Sequence, residues 1–302
     1  MPHIQYRMGS ALVAIAIGAT ALAASAMPGF GEWSGPSRVQ SAAGPVGAIA
    51  TGAVDGCVSL SRNGLELYFT SNRTGNFDLY VTRRSSVAGA FGPPQRLPAT
   101  LNTPADEACP TIVGRNRLYF LRGNATDEGD IYVSTRSSKG WQPANPVSAL
   151  NSSLLDEAVT VFEDEQGREV VLWSRRNVDG SGGKILQSVA GGMPQEVAGG
   201  PNAAGSNSRP SITHDGRTLF FDSTRPGGLG GPDLWYATRP STDAAFGPAI
   251  HLGELNSAGF DARPAISWDG EELFYSSNRP GSTSPAPDIW MAKRPRSSGP
   301  KG

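Results

Sequence analysis

The chain has few of the residues on which metal-dependent and nucleophilic chemistry most often rests, because its 302 residues include only 3 His and 2 Cys. His3 lies in the N-terminal segment, His214 falls in a predicted turn, and His251 falls in a predicted outer strand. No two histidines are therefore expected to share a site. A His-ligated zinc or manganese centre and a Ser-His-Asp triad are not expected.

An excess of charge of either sign is also missing. The formal net charge is −1 and no stretch forms a basic stripe, so nucleic acid is not an expected partner. The apolar run from residue 11 to residue 24 is shorter than the roughly 20 residues that a membrane-spanning helix needs. Stable membrane insertion is therefore not expected.

The same N-terminal stretch has the features of a secretory signal. His3 and Arg7 give it a weakly basic start, the apolar run follows, and Ala24-Ser25-Ala26 fits the small-residue cleavage rule. We interpret residues 1–26 as a signal peptide. The mature protein is then expected to be periplasmic or secreted.

Glycine and proline, in contrast, are abundant. The 38 Gly and 24 Pro favour many tight turns and oppose long helices. About 275 residues follow the signal, which is enough for one sizeable core. We expect a single domain over residues 27–297 and a disordered tail at residues 298–302.

One pattern occurs five times along the chain, most clearly in residues 261–294. A strand-like run, an Asp-Gly turn, a second apolar run, a Gly/Pro loop and a third run follow one another. The aligned positions in the five first strands are Val58, Pro110, Thr160, Pro210 and Pro264, with spacings of 52, 50, 50 and 54. Self-similarity at this period predicts a repeat protein whose units stack.

Three of the turns and the strands around them carry a family resemblance. The turns are Ser61-Arg62-Asn63-Gly64, Thr213-His214-Asp215-Gly216 and Ser267-Trp268-Asp269-Gly270, and the third strands begin with Asp78-Leu79-Tyr80, Asp130-Ile131-Tyr132, Asp233-Leu234-Trp235 and Asp288-Ile289-Trp290. This pattern resembles the WD40-like (PD40) repeat of the TolB-like propeller superfamily. The resemblance covers nearly all of the mature chain and implies a β-propeller. Propellers serve catalysis, binding and scaffolding alike.

TolB-type proteins, as a family, carry a further N-terminal α/β domain and work with envelope partners. Residues 27–54 are too few for that domain. The resemblance therefore implies the propeller without the specific role of those proteins.

The segment Trp33–Gln40 resembles the starts of the predicted fourth strands, such as Phe91-Gly92-Pro93. The fifth repeat ends at Arg296 without a fourth strand of its own. Pairing of the N-terminal segment with the last repeat would join the two ends of the ring and cover exposed strand edges. We therefore predict an all-β, five-bladed β-propeller with four antiparallel strands per blade, closed by an N-terminal strand.

Charged residues cluster at the starts of the predicted inner strands, where the chain approaches the central channel. One ring consists of Asp55, Glu107, Glu157, Asn207 and Asp261, with Asp106 and Asp156 adjacent to it. Two residues further along come Cys57, Cys109, Val159, Arg209 and Arg263. The pattern predicts an acidic channel mouth with arginines on blades four and five only. Such asymmetry indicates a ligand site, with Arg209, Arg263, Asp106 and Asp156 as binding residues.

Three interpretations of the acidic ring are open. Clustered carboxylates are able to bind a hard cation such as Ca²⁺, although no cofactor is required by the pattern. Asp55, Glu107, Glu157 and Asp261 are also candidates for a general acid and base, as in glycoside hydrolases. Alternatively, acids that recur at one repeat position cap strand amides or pair with neighbouring arginines.

Loop arginines also recur, at Arg73, Arg176, Arg225 and Arg279, as do the third-strand acids Asp78, Asp130, Asp233 and Asp288. A repeated arginine and acid at fixed spacing predicts a charge-assisted hydrogen bond that shapes the loop between them. The longer loops lie on the face of the connections between second and third strands. We expect ligand binding on that face.

Cys57 and Cys109 occupy one repeat position in adjacent blades. An exported protein with two cysteines often joins them, and a bridge is feasible if the Cα atoms lie within about 7 Å. Two separate small core residues are the alternative.

Together these features favour an exported binding or protein-interaction scaffold with its ligand site at the channel mouth. Its partner would be an envelope protein or a small polar or carbohydrate ligand. The alternative is a hydrolase or lyase that acts on a carbohydrate or another polar substrate through the carboxylates. A structural module with no ligand would instead have every one of these acids ion-paired.

Overall fold

The computed structural model describes residues 29–41, 48–123 and 129–297. The predicted signal peptide, residues 1–26, and the predicted tail, residues 298–302, lie outside the described residues. Within the described ranges the chain is all-β, apart from one short 3₁₀ turn at Gly200–Asn202. None of the helices in those ranges is long and apolar enough to cross a membrane.

Five antiparallel sheets form the five blades, and the strands are numbered here in chain order. The first strand, β1 (Ser37–Arg38), joins the last sheet. Blade one contains β2 (Asp55–Leu60), β3 (Glu66–Ser71), β4 (Asp78–Arg83) and β5 (Gln95–Arg96). Blade two contains β6 (Asp106–Val113), β7 (Arg117–Gly123), β8 (Asp130–Ser137), the short β9 (Gly140–Trp141) and β10 (Asn145–Pro146).

The remaining blades repeat this arrangement. Blade three contains β11 (Leu155–Glu163), β12 (Glu169–Arg176), β13 (Lys184–Val189) and β14 (Gln195–Glu196). Blade four contains β15 (Asn207–Ile212), β16 (Thr218–Ser223), β17 (Asp233–Thr238) and β18 (Ile250–His251). Blade five contains β19 (Asp261–Ile266), β20 (Glu272–Ser277) and β21 (Asp288–Lys293), with β1 as its fourth strand. The predicted five-bladed propeller is confirmed.

Hydrophobic cores lie between adjacent blades, because the second strands place large apolar side chains on both of their faces. Tyr68, Phe220 and Tyr275 are fully buried in these strands. One core joins Phe69 of blade one to Phe274 of blade five, so that the last blade packs directly on the first. The sheets therefore stabilise one another around a closed ring.

Strand β1 closes the ring as predicted. Arg38 pairs with Trp290 in register, and the Val39 amide donates to the Ile289 carbonyl at 2.9 Å. Just before β1, the Trp33 ring packs edge-on against Phe220 of blade four at 6.3 Å between centroids. The first and last parts of the propeller are thus held by hydrogen bonds and by core packing.

Every inner strand contains a β-bulge at the same place. The bulge residues adopt left-handed backbone angles and are Cys57 (φ 49°), Cys109 (φ 50°), Ala158 (φ 57°), Arg209 (φ 50°) and Arg263 (φ 61°). For residues other than glycine this conformation costs about 1 kcal/mol or more each. We call these five residues the bulge ring. In blade three the member of the bulge ring is Ala158. The sequence alignment assigned Val159 to this position, which is one residue too late.

Two members of the bulge ring are covalently joined. Cys57 and Cys109 form a disulfide across blades one and two, with their Cα atoms 4.8 Å apart. The predicted bridge is confirmed. It is compatible with an extracellular location, where disulfides persist.

Candidate functional site

The predicted ring of strand-start acids lies within the blades as part of their loop structure. In blade one, Asp55 accepts hydrogen bonds from the Thr51 amide and hydroxyl at 2.7 and 2.6 Å and from the Arg73 guanidinium at 2.7 Å. In blade five, Asp261 accepts from both groups of Ser257 and from Arg279 in the same way. Each carboxylate therefore anchors an incoming loop and is charge-balanced by its own blade.

Blades two and three follow the same rule. Glu107 accepts from Thr103 and from Arg122, the latter at 2.8 Å. Asp156 accepts from Ser152 at 2.7 Å and from Arg175 at 2.8 Å. These acids, like Asp55 and Asp261, are buried, and buried carboxylates need such partners.

The structure changes two further interpretations made from the sequence, those of Asp106 and of the loop arginines. Asp106 accepts a hydrogen bond from the Phe77 amide at 2.9 Å and so shapes the loop between blades. The loop arginines do not pair with the third-strand acids: Arg73 and Arg279 contact the strand-start acids Asp55 and Asp261, Arg225 contacts Asn207, and Asp78 is bound by Arg96. The reason is geometric, because the loop after the second strand folds back over the start of the first. Arg176 does not belong to this set, because Arg175 lies opposite Asp156 as Ser71 lies opposite Asp55, so Arg176 stands outside the repeat.

Glu157 differs from the other predicted acids because it stands outside the repeat. Asp156 fills the repeat position in blade three, and the residues that correspond to Glu157 elsewhere are Gly56, Ala108, Ser208 and Ala262. The Arg176 Nε atom donates to Glu157 Oε1 at 2.7 Å, and Arg209 Nη2 lies 3.3 Å from the same oxygen. Glu157 is therefore a buried carboxylate between two arginines.

Asp222 in β16 also departs from the repeat, and sequence reasoning missed it. At this position Thr70, Ser174 and Ser276 each accept the backbone N–H of the bulge residue in the next blade, at 2.9 to 3.2 Å. Asp222 accepts the Arg263 N–H in the same way at 3.0 Å, and its second oxygen accepts from Arg209 Nη1 at 3.2 Å. A carboxylate among hydroxyls at one repeat position was the signal available in the sequence.

The departures from the repeat converge. We call Glu157, Arg176, Arg209, Asp222 and Arg263 the asymmetric cluster; they come from blades three, four and five. The structure thus brings together three of the residues predicted from sequence, namely Glu157, Arg209 and Arg263. It holds Asp55, Glu107, Asp261, Asp106 and Asp156 in loop contacts of their own.

The environments of the two carboxyl groups in the cluster move their pKa values in opposite directions. Burial opposes the charge of Glu157, but the guanidinium groups of Arg209 and Arg176 outweigh it and lower the pKa. Burial raises the pKa of Asp222, with Glu157 adding to the effect and Arg209 opposing it. Burial and the adjacent Arg209 charge lower the Arg263 pKa to about 10. One ionised and one more readily protonated carboxyl in one site is the arrangement of an acid–base pair.

A cavity of about 280 Å³ fills the central channel between the bulge ring and the Asp-Gly turns. Arg209 and Arg263 line its inner end. At the outer rim the Trp268 ring is stacked between His214, at 5.0 Å, and the Arg62 guanidinium, at 4.1 Å. Trp268 is 42% exposed, so the cavity opens on this face.

The cavity opens on the face opposite to the one predicted for binding. On the predicted face, the loop backbones are hydrogen-bonded to third-strand acids of the same blade. The Thr283 amide donates to Asp288 at 2.6 Å, and the Leu229 amide donates to Asp233. In the described ranges no three His, Cys, Asp or Glu side chains are placed to hold a metal ion. The calcium hypothesis stays a prediction.

No protein-family model matches the chain, and no curated protein sequence does. Solved structures with the same fold include a GH43 endo-arabinanase from Bacillus licheniformis, 13% identical, which aligns over 79% of this chain and 93% of its own with a TM-score of 0.54. An α-L-arabinofuranosidase from Podospora anserina is 12% identical and aligns over 89% and 98% with a TM-score of 0.54. A putative TolB from Agrobacterium tumefaciens is 15% identical over 82% and 79%, with a TM-score of 0.47. At these identities the similarity to the endo-arabinanase and the arabinofuranosidase shows the fold alone.

These comparisons correct the interpretation of the chain as a TolB-like scaffold that binds without chemistry. The similar structures are mainly carbohydrate hydrolases, including arabinanases, arabinofuranosidases and a putative galactanase. The four candidate acids of the predicted mouth, Asp55, Glu107, Glu157 and Asp261, are all ion-paired, which is the outcome expected of a structural module. Of these, Glu157 is also paired with an arginine from another blade, Arg209.

Proposed function

We propose that the chain is a carbohydrate hydrolase whose reaction takes place at the asymmetric cluster. The observation that carries the proposal is that the charged residues that break a fivefold repeat converge on one buried site, from which Arg209 and Arg263 reach the lining of the channel cavity. A purely architectural role would place equivalent residues in all blades. The fold that the chain shares with solved arabinanases, arabinofuranosidases and a putative galactanase supports a polysaccharide or oligosaccharide as the substrate class.

The two carboxyl groups take complementary roles in this proposal. Asp222, whose pKa is raised by burial, gives its proton to the glycosidic oxygen as the C–O bond breaks. Glu157, whose pKa is lowered by its arginine neighbours despite burial, takes a proton from the attacking water. Water thus adds across the broken bond and both carboxyl groups are afterwards reset by proton exchange. This division of labour is the one that glycoside hydrolysis requires.

Arg209 is a positioning residue in the proposal. Its two terminal nitrogens contact Glu157 and Asp222, at 3.3 and 3.2 Å, so that one planar group fixes the separation of both carboxyls. Its own backbone is fixed by the bulge and by the hydrogen bond from its N–H to Ser174. The cavity is near the lower end of the roughly 300–1,000 Å³ typical of small-molecule sites, which suits one or two sugar units.

Export and the PD40 resemblance belong to the same proposal. The predicted signal at residues 1–26 and the disulfide between Cys57 and Cys109 both support a protein that works outside the cytoplasm. Polysaccharides are substrates of that environment. The repeated Ser-x-Asx-Gly turns at Ser61 and Ser267 support membership of the PD40 group of repeats.

The test is hydrolysis of a panel of aryl glycosides and of neutral and acidic polysaccharides by the wild type and by Glu157→Gln and Asp222→Asn. Each substitution keeps the shape of the side chain and removes its acid–base function. We expect each variant to lose at least about 100-fold in kcat/KM.

Glu163→Gln is the matched control, because Glu163 lines the cavity at its outer mouth and is not in the asymmetric cluster. Its activity should equal that of the wild type. Thermal melting of each variant separates loss of chemistry from loss of folding. A wild type that cleaves nothing in the panel, or folded variants that keep full activity, would overturn the proposal.

A further inference from the structure

The asymmetric cluster has more positive than negative charge. It contains three guanidinium groups and two carboxyl groups, so its net charge is at least +1 even when both carboxyls are ionised. Protonation of Asp222 would increase the excess. A buried excess of charge is costly unless a counter-charge is bound.

Arg263 is the residue that lacks a counter-charge. Within the described part of the chain its guanidinium forms no ion pair, and its buried Nε has no hydrogen-bond partner. Its Cζ lies 5.3 Å from the centroid of the Phe260 ring, and a Cβ at Gly56 would stand 3.5 Å from its Nη1. The buried Nε of Arg209 is also without a partner among these residues.

Two other buried arginines of the propeller have clear partners. Arg84 lies 2.6 Å from the Glu272 carboxylate, and Arg239 donates from Nε to the Gly216 carbonyl at 2.7 Å. Burial of an arginine in this fold therefore ordinarily comes with a partner. Arg263 instead lines a cavity, where a partner from outside the chain can reach it.

We propose that Arg263, together with Arg209, binds the carboxylate of an acidic sugar, so that the substrate contains a uronic acid unit. A planar guanidinium with free N–H groups matches a carboxylate in a two-point geometry that a neutral sugar cannot offer. The assignment to a sugar rests on the proposed function, whereas the anion site stands on the arginines alone.

Binding of galacturonate and of galactose to the wild type, measured by titration calorimetry, tests the proposal. These monosaccharides differ at the charged group and contain no glycosidic bond, so binding is measured even if hydrolysis is absent. We expect galacturonate to bind at least about tenfold more tightly than galactose. Arg263→Gln should abolish that difference by weakening the binding of galacturonate, while Arg62→Gln at the outer rim should preserve it.

Acetate and inorganic phosphate are the comparison ligands. The proposal expects both to compete with galacturonate only weakly, because they lack the sugar. Competition as strong as that of galacturonate itself would show an anion site without sugar recognition and would overturn the assignment. Equal affinity of the wild type for galacturonate and galactose would overturn the anion site, whatever the folding state of the Arg263 variant.

Discussion

The bulge ring shows how one backbone position can carry different functions in successive blades. Its five residues share a left-handed φ between 49° and 61°. Their side chains nevertheless differ: Cys57 and Cys109 form a disulfide, Ala158 is small and apolar, and Arg209 and Arg263 are charged. The backbone geometry is held by the bulge and by an N–H bond to the preceding blade in most cases. The side chain is consequently free to vary without changing the fold.

The opposite pKa shifts of Glu157 and Asp222 predict a bell-shaped dependence of kcat/KM on pH. Activity needs Glu157 ionised, so it is lost as the pH falls through the lowered pKa of that group. Activity also needs Asp222 protonated, so it is lost as the pH rises through its raised pKa. The measurement is kcat/KM for a neutral aryl glycoside across acidic and neutral pH.

Arg263→Gln should move both limbs of this profile to higher pH. The Arg263 charge favours the ionised forms of Glu157 and Asp222, so its removal raises both pKa values. Arg62→Gln, which removes a charge at the outer rim, is the control. Limbs that stay in place in the Arg263 variant would contradict the acid–base assignment.

The asymmetric cluster shows why the site was only partly predictable from sequence. Arg209 and Arg263 were found because arginines replaced cysteines at an aligned position. Glu157 was found through an alignment that was one residue late, since Asp156 is the repeat acid and the additional residues of β11 follow its bulge and delay its turn. Asp222 was missed because its pairing with Arg209 joins two strands and cannot be read from spacing, although its place at a repeat position of hydroxyl residues was a signal in the sequence.

Among the strands, β2 and β6 are the pair that a covalent bond joins at the centre of the ring. Their sequence separation of 52 residues corresponds to a stabilisation of about 4 kcal/mol in the chain-entropy treatment. We predict that Cys57→Ala with Cys109→Ala lowers the free energy of unfolding by up to about this amount. Denaturant titration of the oxidised wild type and of the double variant measures it.

Reduction of the wild type provides the control for this prediction. Dithiothreitol should bring the wild type close to the double variant and leave the double variant unchanged. Mass mapping without reduction should find the peptide that joins Cys57 to Cys109. Two free thiols, or a double variant as stable as the oxidised wild type, would contradict the role assigned to the bridge.

The complete ring was more accessible to sequence reasoning than the site, because its signals are local and occur several times. The Asp-Gly turns need a positive φ, which Gly64 and Gly270 supply at 72° and 76°. The closing strand was predictable because Trp33–Gln40 resembles the outer strands and the last repeat lacks one. The loop pairings were not predictable, because an arginine at fixed spacing can reach either of two acids. Arg73, for example, contacts Asp55 and not Asp78.

Closure of the ring by the N-terminal segment predicts a specific sensitivity of the whole propeller to Trp33. This side chain contacts Phe220 and lies 4.4 Å from the buried Arg294 guanidinium, so it joins the N-terminal segment to blades four and five. Trp33→Ala should destabilise the protein by about 2 kcal/mol through lost apolar burial. Trp268→Ala, at the exposed outer rim, is the matched control and should melt close to the wild type.

Deletion of residues 33–40 should go further and expose the edge of β21, which pairs with Arg38 in the intact chain. Size-exclusion chromatography should then show aggregates, and a deletion variant that stays monomeric and melts like the wild type would contradict closure by this strand.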